Sequence, residues 1–188
     1  MRVFIAGSMK IRYLDPLVKR HIDRLLANDY EIVVGDADGA DTLVQSYLFN
    51  HGAKKTTIYC SGLKPRNNVG NWPVQRVDTK HAEGSRAFFT AKDIRMAEMA
   101  DMGLMIWDAE STGTLGNIIE LLMRKKQSTV FVNKARLFKD VANVKQLEEI
   151  LSFMSEAAKE KGNKKIKLFS RIESLKHEQL MFVMPMGH

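Results

Sequence analysis

Cysteine is almost absent from this chain. Cys60 stands alone among 188 residues, which excludes a disulfide within the chain. It has no histidine partner visible in the sequence, so it is not read as a thiol nucleophile. His21, His51, His81, His177 and His188 are scattered singly. That pattern has no metal-ligand spacing, so neither a metal nor a cofactor is expected. No apolar run approaches the roughly 20 residues of a membrane-spanning helix. The chain opens on a strand-like Arg2–Ile5 rather than on a charged leader with a long apolar stretch. A cytoplasmic protein with no membrane partner is therefore expected. No stripe of basic residues is interleaved with aromatics, so nucleic acid is not expected as the partner. Internal repeats and low-complexity tracts are missing as well.

What remains is an ordinary globular composition, with 45% hydrophobic and 27% charged residues. The length suits one domain with a C-terminal extension. The net charge of +7 is shared between residues 1–133 (+3) and 134–188 (+4), an excess that favours anionic small molecules.

Short β-rich runs at Arg2–Ala6, Glu31–Val34, Thr56–Cys60, Leu104–Trp107 and Thr129–Val132 alternate with helical spacing. The helical stretches are Leu14–Leu26, Leu43–Asn50, Ser85–Ala100 and Thr114–Arg124. This alternation predicts an α/β, Rossmann-like domain over 1–133, with a mostly parallel five-stranded sheet and helices on both faces. Residues 61–84 show no periodicity, a length of loop that is usually functional or disordered. Residues 134–188 read as a largely helical extension, packed on the domain or at an oligomer interface, which leaves a homo-oligomer open. Val144–Lys159 is its amphipathic helix, and Ile166–Phe169 and Leu180–Met184 are candidate strands.

Three Gly-rich turns follow the first, second and fourth strands, and in a doubly wound sheet they share one edge. The first is Gly7-Ser8. The second, Gly35–Asp41, offers Gly35 and Gly39 for close backbone approach and Asp38 as a carboxylate for ribose hydroxyls. Asp38 reads equally as a helix cap, and for Asp41 the cap is the preferred role. The third turn, Asp108–Gly116, carries Asp108, Ser111, Gly113 and Thr114 into a helix whose N–H groups and dipole attract anions. The expected ligand is a nucleotide or nucleoside, with its phosphate or ribose on Ser8 and Ser111–Thr114. Arg66 and Trp72 in the long loop would cover it, although pinning the loop to the core is the commoner role of such a tryptophan. Lys92 and Arg86 on the following helix either line the same pocket or are simply solvated charges.

The segments Gly35-Asp-Ala-Asp-Gly-Ala-Asp41 and Trp107-Asp-Ala-Glu-Ser-Thr-Gly-Thr114 resemble the SLOG superfamily, the DprA/LOG group of Rossmann-like proteins. The resemblance covers residues 2–133 and is nearest to a small bacterial branch patterned Gly-x-x-x-Gly-Ala-Asp and Trp-Asp-Gly-x-Ser-x-Gly-Thr. More distantly, the layout is similar to nucleoside deoxyribosyltransferases. It implies binding of nucleotides or nucleotide-derived signals and, in some members, cleavage of N-glycosidic bonds. Enzymes of the group carry Gly-Thr-x-x-Glu, whereas here Gly113-Thr114 leads to Asn117, and Ala109 replaces the branch's glycine. An amide cannot act as a carboxylate nucleophile. The expectation is therefore binding at this edge, Asn117 included, without obligatory chemistry. The alternative is an N-glycosidase or deoxyribosyltransferase with Asp93, Asp108 and Glu120 as its catalytic carboxylates. For Glu120 the preferred role is a surface pair with Arg124.

Overall fold

The computed structural model describes residues 1–183. Its elements in chain order are β1 (Arg2–Gly7), α1 (Pro16–Ala27), β2 (Glu31–Gly35), α2 (Ala40–Asn50), β3 (Thr56–Ser61), β4 (Val74–Val77) and α3 (Arg86–Met99). They continue as β5 (Met102–Trp107), α4 (Thr112–Met123), β6 (Ser128–Val132), β7 (Leu137–Val141), α5 (Val144–Leu151), α6 (Glu156–Ile166) and α7 (Leu168–Val183). The strands form one sheet in the order β4-β3-β2-β1-β5-β6-β7. All neighbours are parallel except β6 and β7.

Strand alternation sorts the core into two layers. Val3, Ile5, Ile32, Val34, Leu104 and Ile106 face Val18 and Ile22 of α1 and Val44 and Leu48 of α2. Phe4, Ala6, Val33, Met105 and Trp107 face the opposite way, toward Met96 of α3, Leu115 and Ile118 of α4, and Leu147 of α5. Strands covered on both faces are apolar at every position, which is why the sequence shows them as continuous hydrophobic runs. The chain passes from β4 at one edge through α3 to β5 on the far side of β1. The β1 and β5 turns therefore open at a topological switch point, where ligands of open α/β sheets bind.

The sheet has seven strands, not the expected five. β4 lies inside the stretch that shows no periodicity; it has four residues on an exposed edge, and such a strand needs no apolar pattern. β7 turns back on β6 through a tight loop in which Arg136 takes a left-handed backbone at φ 52°. The candidate strands at Ile166–Phe169 and Leu180–Val183 are helical instead, and Met184 lies outside the described residues. Leu168, Ile172 and Leu175 are buried at helical spacing, with Lys167 in a left-handed turn separating α6 from α7. The expected helix 144–159 is two helices, because Ser155 caps a new start at α6 through the Ala158 N–H. Leu147, Ile150, Leu151, Met154 and Ala158 are buried in the second core layer. Among the described residues no helix is long and apolar enough to cross a membrane.

Gly39 joins the second turn to the first. Its φ is +80°, and a Cβ there would stand 2.3 Å from the Met9 carbonyl oxygen. Gly39→Ala is expected to lower stability by about 1–3 kcal/mol through backbone strain, read as a lower denaturant midpoint with an unchanged m-value.

Candidate functional site

At the switch point the side chains form a knot of hydroxyls. The fully buried Ser8 Oγ accepts from the Asp108 N–H at 3.1 Å and lies 3.3 Å from Thr114 Oγ1. Thr114 Oγ1 in turn donates to Ser111 Oγ at 3.3 Å. Asp108 Oδ1 accepts from the N–H groups of Glu110 and Ser111 at 2.9 and 2.7 Å. Between them Ala109 sits at φ 62°, a left-handed conformation that suits glycine better than alanine. Ser111 caps α4. The knot thus holds the turn rigid, and the face of α4's first turn beyond Ser111 is left to meet a ligand.

That face borders an open cavity of about 640 Å³ between α3 and α4, lined also by the 77–81 segment, the end of α6 and the start of α7. Thr112, Gly113, Gly116, Asn117 and Glu120 of α4 line it opposite Arg86, Ala87, Ala91, Asp93 and Ile94 of α3. Arg86 reaches across the cleft to Thr112 Oγ1 at 3.3 Å from both terminal nitrogens and is in no ion pair among the described residues. Lys165 and Arg171 bring further positive charge from the extension. Glycines inside a helix cost about 1 kcal/mol each relative to alanine. Yet a Cβ at Gly116 would meet nothing within 4 Å, and one at Gly113 would meet only Ser111 Oγ at 3.9 Å. Packing among the described residues does not demand glycine at either position.

A second cluster lies at the ends of β2 and β3. Arg66 grips Asp36 with Nη2 on Oδ1 at 2.8 Å and Nε on Oδ2 at 3.2 Å, and its backbone N–H adds a bond at 2.9 Å. Burial would raise the Asp36 carboxyl, but these bonds and the charge of Lys92 outweigh it and hold it below the usual carboxylate range. Lys92 is 3% exposed; its Nζ donates to Asp93 Oδ1 at 2.8 Å and lies 3.8 Å from Asp36 Oδ1. Burial pushes its ammonium down, and the charges of Asp93 and Asp41 overcome that and raise it. Asp41 has the opposite balance: burial pushes its carboxyl up to about 7 against the pull of Lys92. A Cβ on Gly35 would stand 2.5 Å from Asp41 Oδ2 and 2.6 Å from Lys92 Nζ, so the glycine makes room for this cluster.

The proposed site residues therefore divide. Asp93, Gly113, Asn117 and Glu120 meet at the cavity. Ser8, Asp108, Ser111 and Thr114 form the adjoining knot. Glu120 is bonded to both Arg124 and Arg171. Asp38 is exposed and accepts from Asn67 Nδ2 at 3.0 Å, while Arg66 belongs to the Asp36 cluster. Asp41 does not cap α2; Gly39 is the N-cap, and Asp41 Oδ2 accepts from the Ala37 N–H at 3.2 Å. Gly7 is packed against Ala40 and Ile106. Trp72 lies elsewhere, buried against the first core layer with Nε1 donating to Ala53 O at 2.9 Å. Asp36 and Lys165 escaped the sequence reading, and Lys92 and Arg86 entered it only as side chains that line a pocket or are merely solvated. Lys92 is in fact fully packed. The available signal was Lys92 next to Asp93 on the side of α3 that faces the sheet.

The fold is similar to that of DNA processing protein A from Helicobacter pylori. The TM-score is 0.53 and the identity 20%, over 69% of this chain and 64% of that one, a little under two thirds of its length. That solved structure is described for its single-stranded DNA binding mode. The sequence matches no protein-family profile and no curated protein. The expectation that nucleic acid is an improbable partner does not stand, because a protein of similar fold binds single-stranded DNA. That expectation looked for a continuous basic and aromatic stripe. Here Arg86, Lys165 and Arg171 come together only through folding.

Proposed function

We propose that this protein binds a nucleotide, free or as a unit of a single strand, at the cavity between α3 and α4 beside the switch-point turn. The observation that carries the reading is the open wall of α4. Gly113 and Gly116 leave space that no described side chain fills, and Arg86, in no ion pair among the described residues, stands across from them. The ligand's phosphate is assigned to Arg86, Thr112 and the first N–H groups of α4, where guanidinium, hydroxyl and helix dipole act together. The hydroxyl knot of Ser8, Ser111 and Thr114 keeps that turn in place. The likeness to the SLOG superfamily in the two Gly-rich turns supports the same ligand class. Residues 134–188 contribute Lys165, Ile166 and Arg171 to the cavity and are proposed as an extension that completes it.

Binding without obligatory chemistry is favoured by position 117, where an amide faces the cavity. The alternative, cleavage of an N-glycosidic bond, rests on Asp93. Of the three candidate carboxylates it alone both lines the cavity and keeps an oxygen without a partner among the described residues.

The test is titration calorimetry with a panel of nucleoside monophosphates and a short single-stranded oligonucleotide, on the parent protein, Arg86→Glu and Gly113→Asp. Each substitution puts negative charge where the phosphate is assigned and is expected to weaken binding at least tenfold, as loss of a charge-assisted bond does. Unchanged affinity in both variants would sink the assignment.

A further inference from the structure

Asn117 is 7% exposed, lines the cavity and makes no side-chain hydrogen bond among the described residues. Its amide atoms are not sealed in the core but open onto the cavity, so with no partner among the described residues they are left to bond whatever enters it. The next residues on the same wall, Gly113 and Gly116, offer no side chain, and the facing Ala87 and Ala91 offer only methyl groups. Of the polar α3 side chains on the cavity, Arg86 bonds Thr112, Thr90 donates to the Arg86 carbonyl and Arg95 pairs with Glu98, whereas Asp93 has Oδ1 held by the buried Lys92 and an Oδ2 that accepts nothing from the described residues.

Resting on the nucleotide reading above, we infer that the cavity takes the base of that nucleotide and selects one carrying an exocyclic amino group. Apart from groups already engaged within the protein (Arg86 with Thr112, Thr90, Arg95 with Glu98, and Glu120), the α3 and α4 walls present two acceptors, the second Asp93 oxygen and Asn117 Oδ1, and one donor group, Asn117 Nδ2. An amino group on the ring supplies two N–H donors from a single atom, and the neighbouring ring nitrogen accepts from the amide. Asparagine pairs with adenine through this same donor and acceptor combination. A keto base such as hypoxanthine or uracil brings one edge N–H and a carbonyl oxygen. That leaves one of the two acceptors buried without a donor, and unpaired buried groups are what make such sites selective. Small side chains on both helices give a ring room to enter, and Arg86 at the mouth sits where the phosphate of the same ligand would lie.

The experiment compares AMP with IMP and CMP with UMP by titration calorimetry, on the parent protein and on Asn117→Leu and Asp93→Asn. Within each pair the ligands differ at the amino or keto position, so the comparison on the parent protein is decisive even if a variant folds poorly. Tighter binding of AMP and CMP by at least tenfold is expected, with the preference lost in Asn117→Leu and reduced in Asp93→Asn. Equal affinity for AMP and IMP, or a preference that survives Asn117→Leu, would overturn base selection while leaving nucleotide binding standing. Absence of binding to all four would overturn both.

Discussion

Lys92→Met is expected to destabilise the fold by about 3–5 kcal/mol, the usual cost of removing one partner from a buried ion cluster. Methionine matches the length of the lysine stem, so the loss comes from charge rather than from a void. Asp36 keeps Arg66, but Asp93 loses its only partner among the described residues, at 2.8 Å, and Asp41 loses the cation that pulls its carboxyl down. At this chain length the effect corresponds to a fall in Tm of roughly 6–20 °C. Guanidinium denaturation at pH 7.5 measures it directly, and the deficit should shrink at pH 5, where Asp41 carries a proton in the native state. A midpoint equal to that of the parent protein would mean the three carboxylates do not depend on Lys92.

Asp41→Asn should change how stability depends on pH. The native carboxyl titrates at about 7, raised by burial above its ordinary value near 4. Between those values the native state holds a proton that the unfolded state has released. The resulting stabilisation is complete below about pH 4 and is lost as pH rises through 7, at about 1.4 kcal/mol per unit and about 4 kcal/mol in all. Asp36, held below the usual range, has the opposite sign, and its contribution disappears only in more acid solution. His21, lowered chiefly by burial, also gains stability with rising pH, but it is common to both proteins and cancels in the difference. Asparagine keeps an acceptor for the Ala37 N–H and cannot ionise. The parent protein should therefore lose stability relative to the variant between pH 5 and 8. A constant difference across that range would show that Asp41 is already ionised in the native state.

Both predictions concern residues at the edge of the legible. The apolar runs of β1, β2, β3, β5 and β6 are plain in the sequence because strands covered on both faces must be apolar throughout. The edge strands β4 and β7 are not, because one side of each meets solvent and their pairing depends on a neighbour distant in sequence or on a turn. The Gly-rich turns were likewise visible, and the structure distinguishes what each glycine does. At Gly35 the space belongs to Asp41 and Lys92, at Gly39 to the Met9 backbone, while among the described residues Gly113 meets only Ser111 Oγ at 3.9 Å and Gly116 nothing within 4 Å.

By itself the sequence determined the layered α/β architecture and the switch-point turn. Both follow from local periodicity and from the covalent order of strand, turn and helix. Only the tertiary structure decided which side chains share a site. Arg86 and Thr112, Lys92 and Asp36, and Glu120 and Arg171 are joined across 26, 56 and 51 residues of sequence. Charge and hydrogen bonding act through space over a few ångströms, and no periodicity along the chain encodes that proximity.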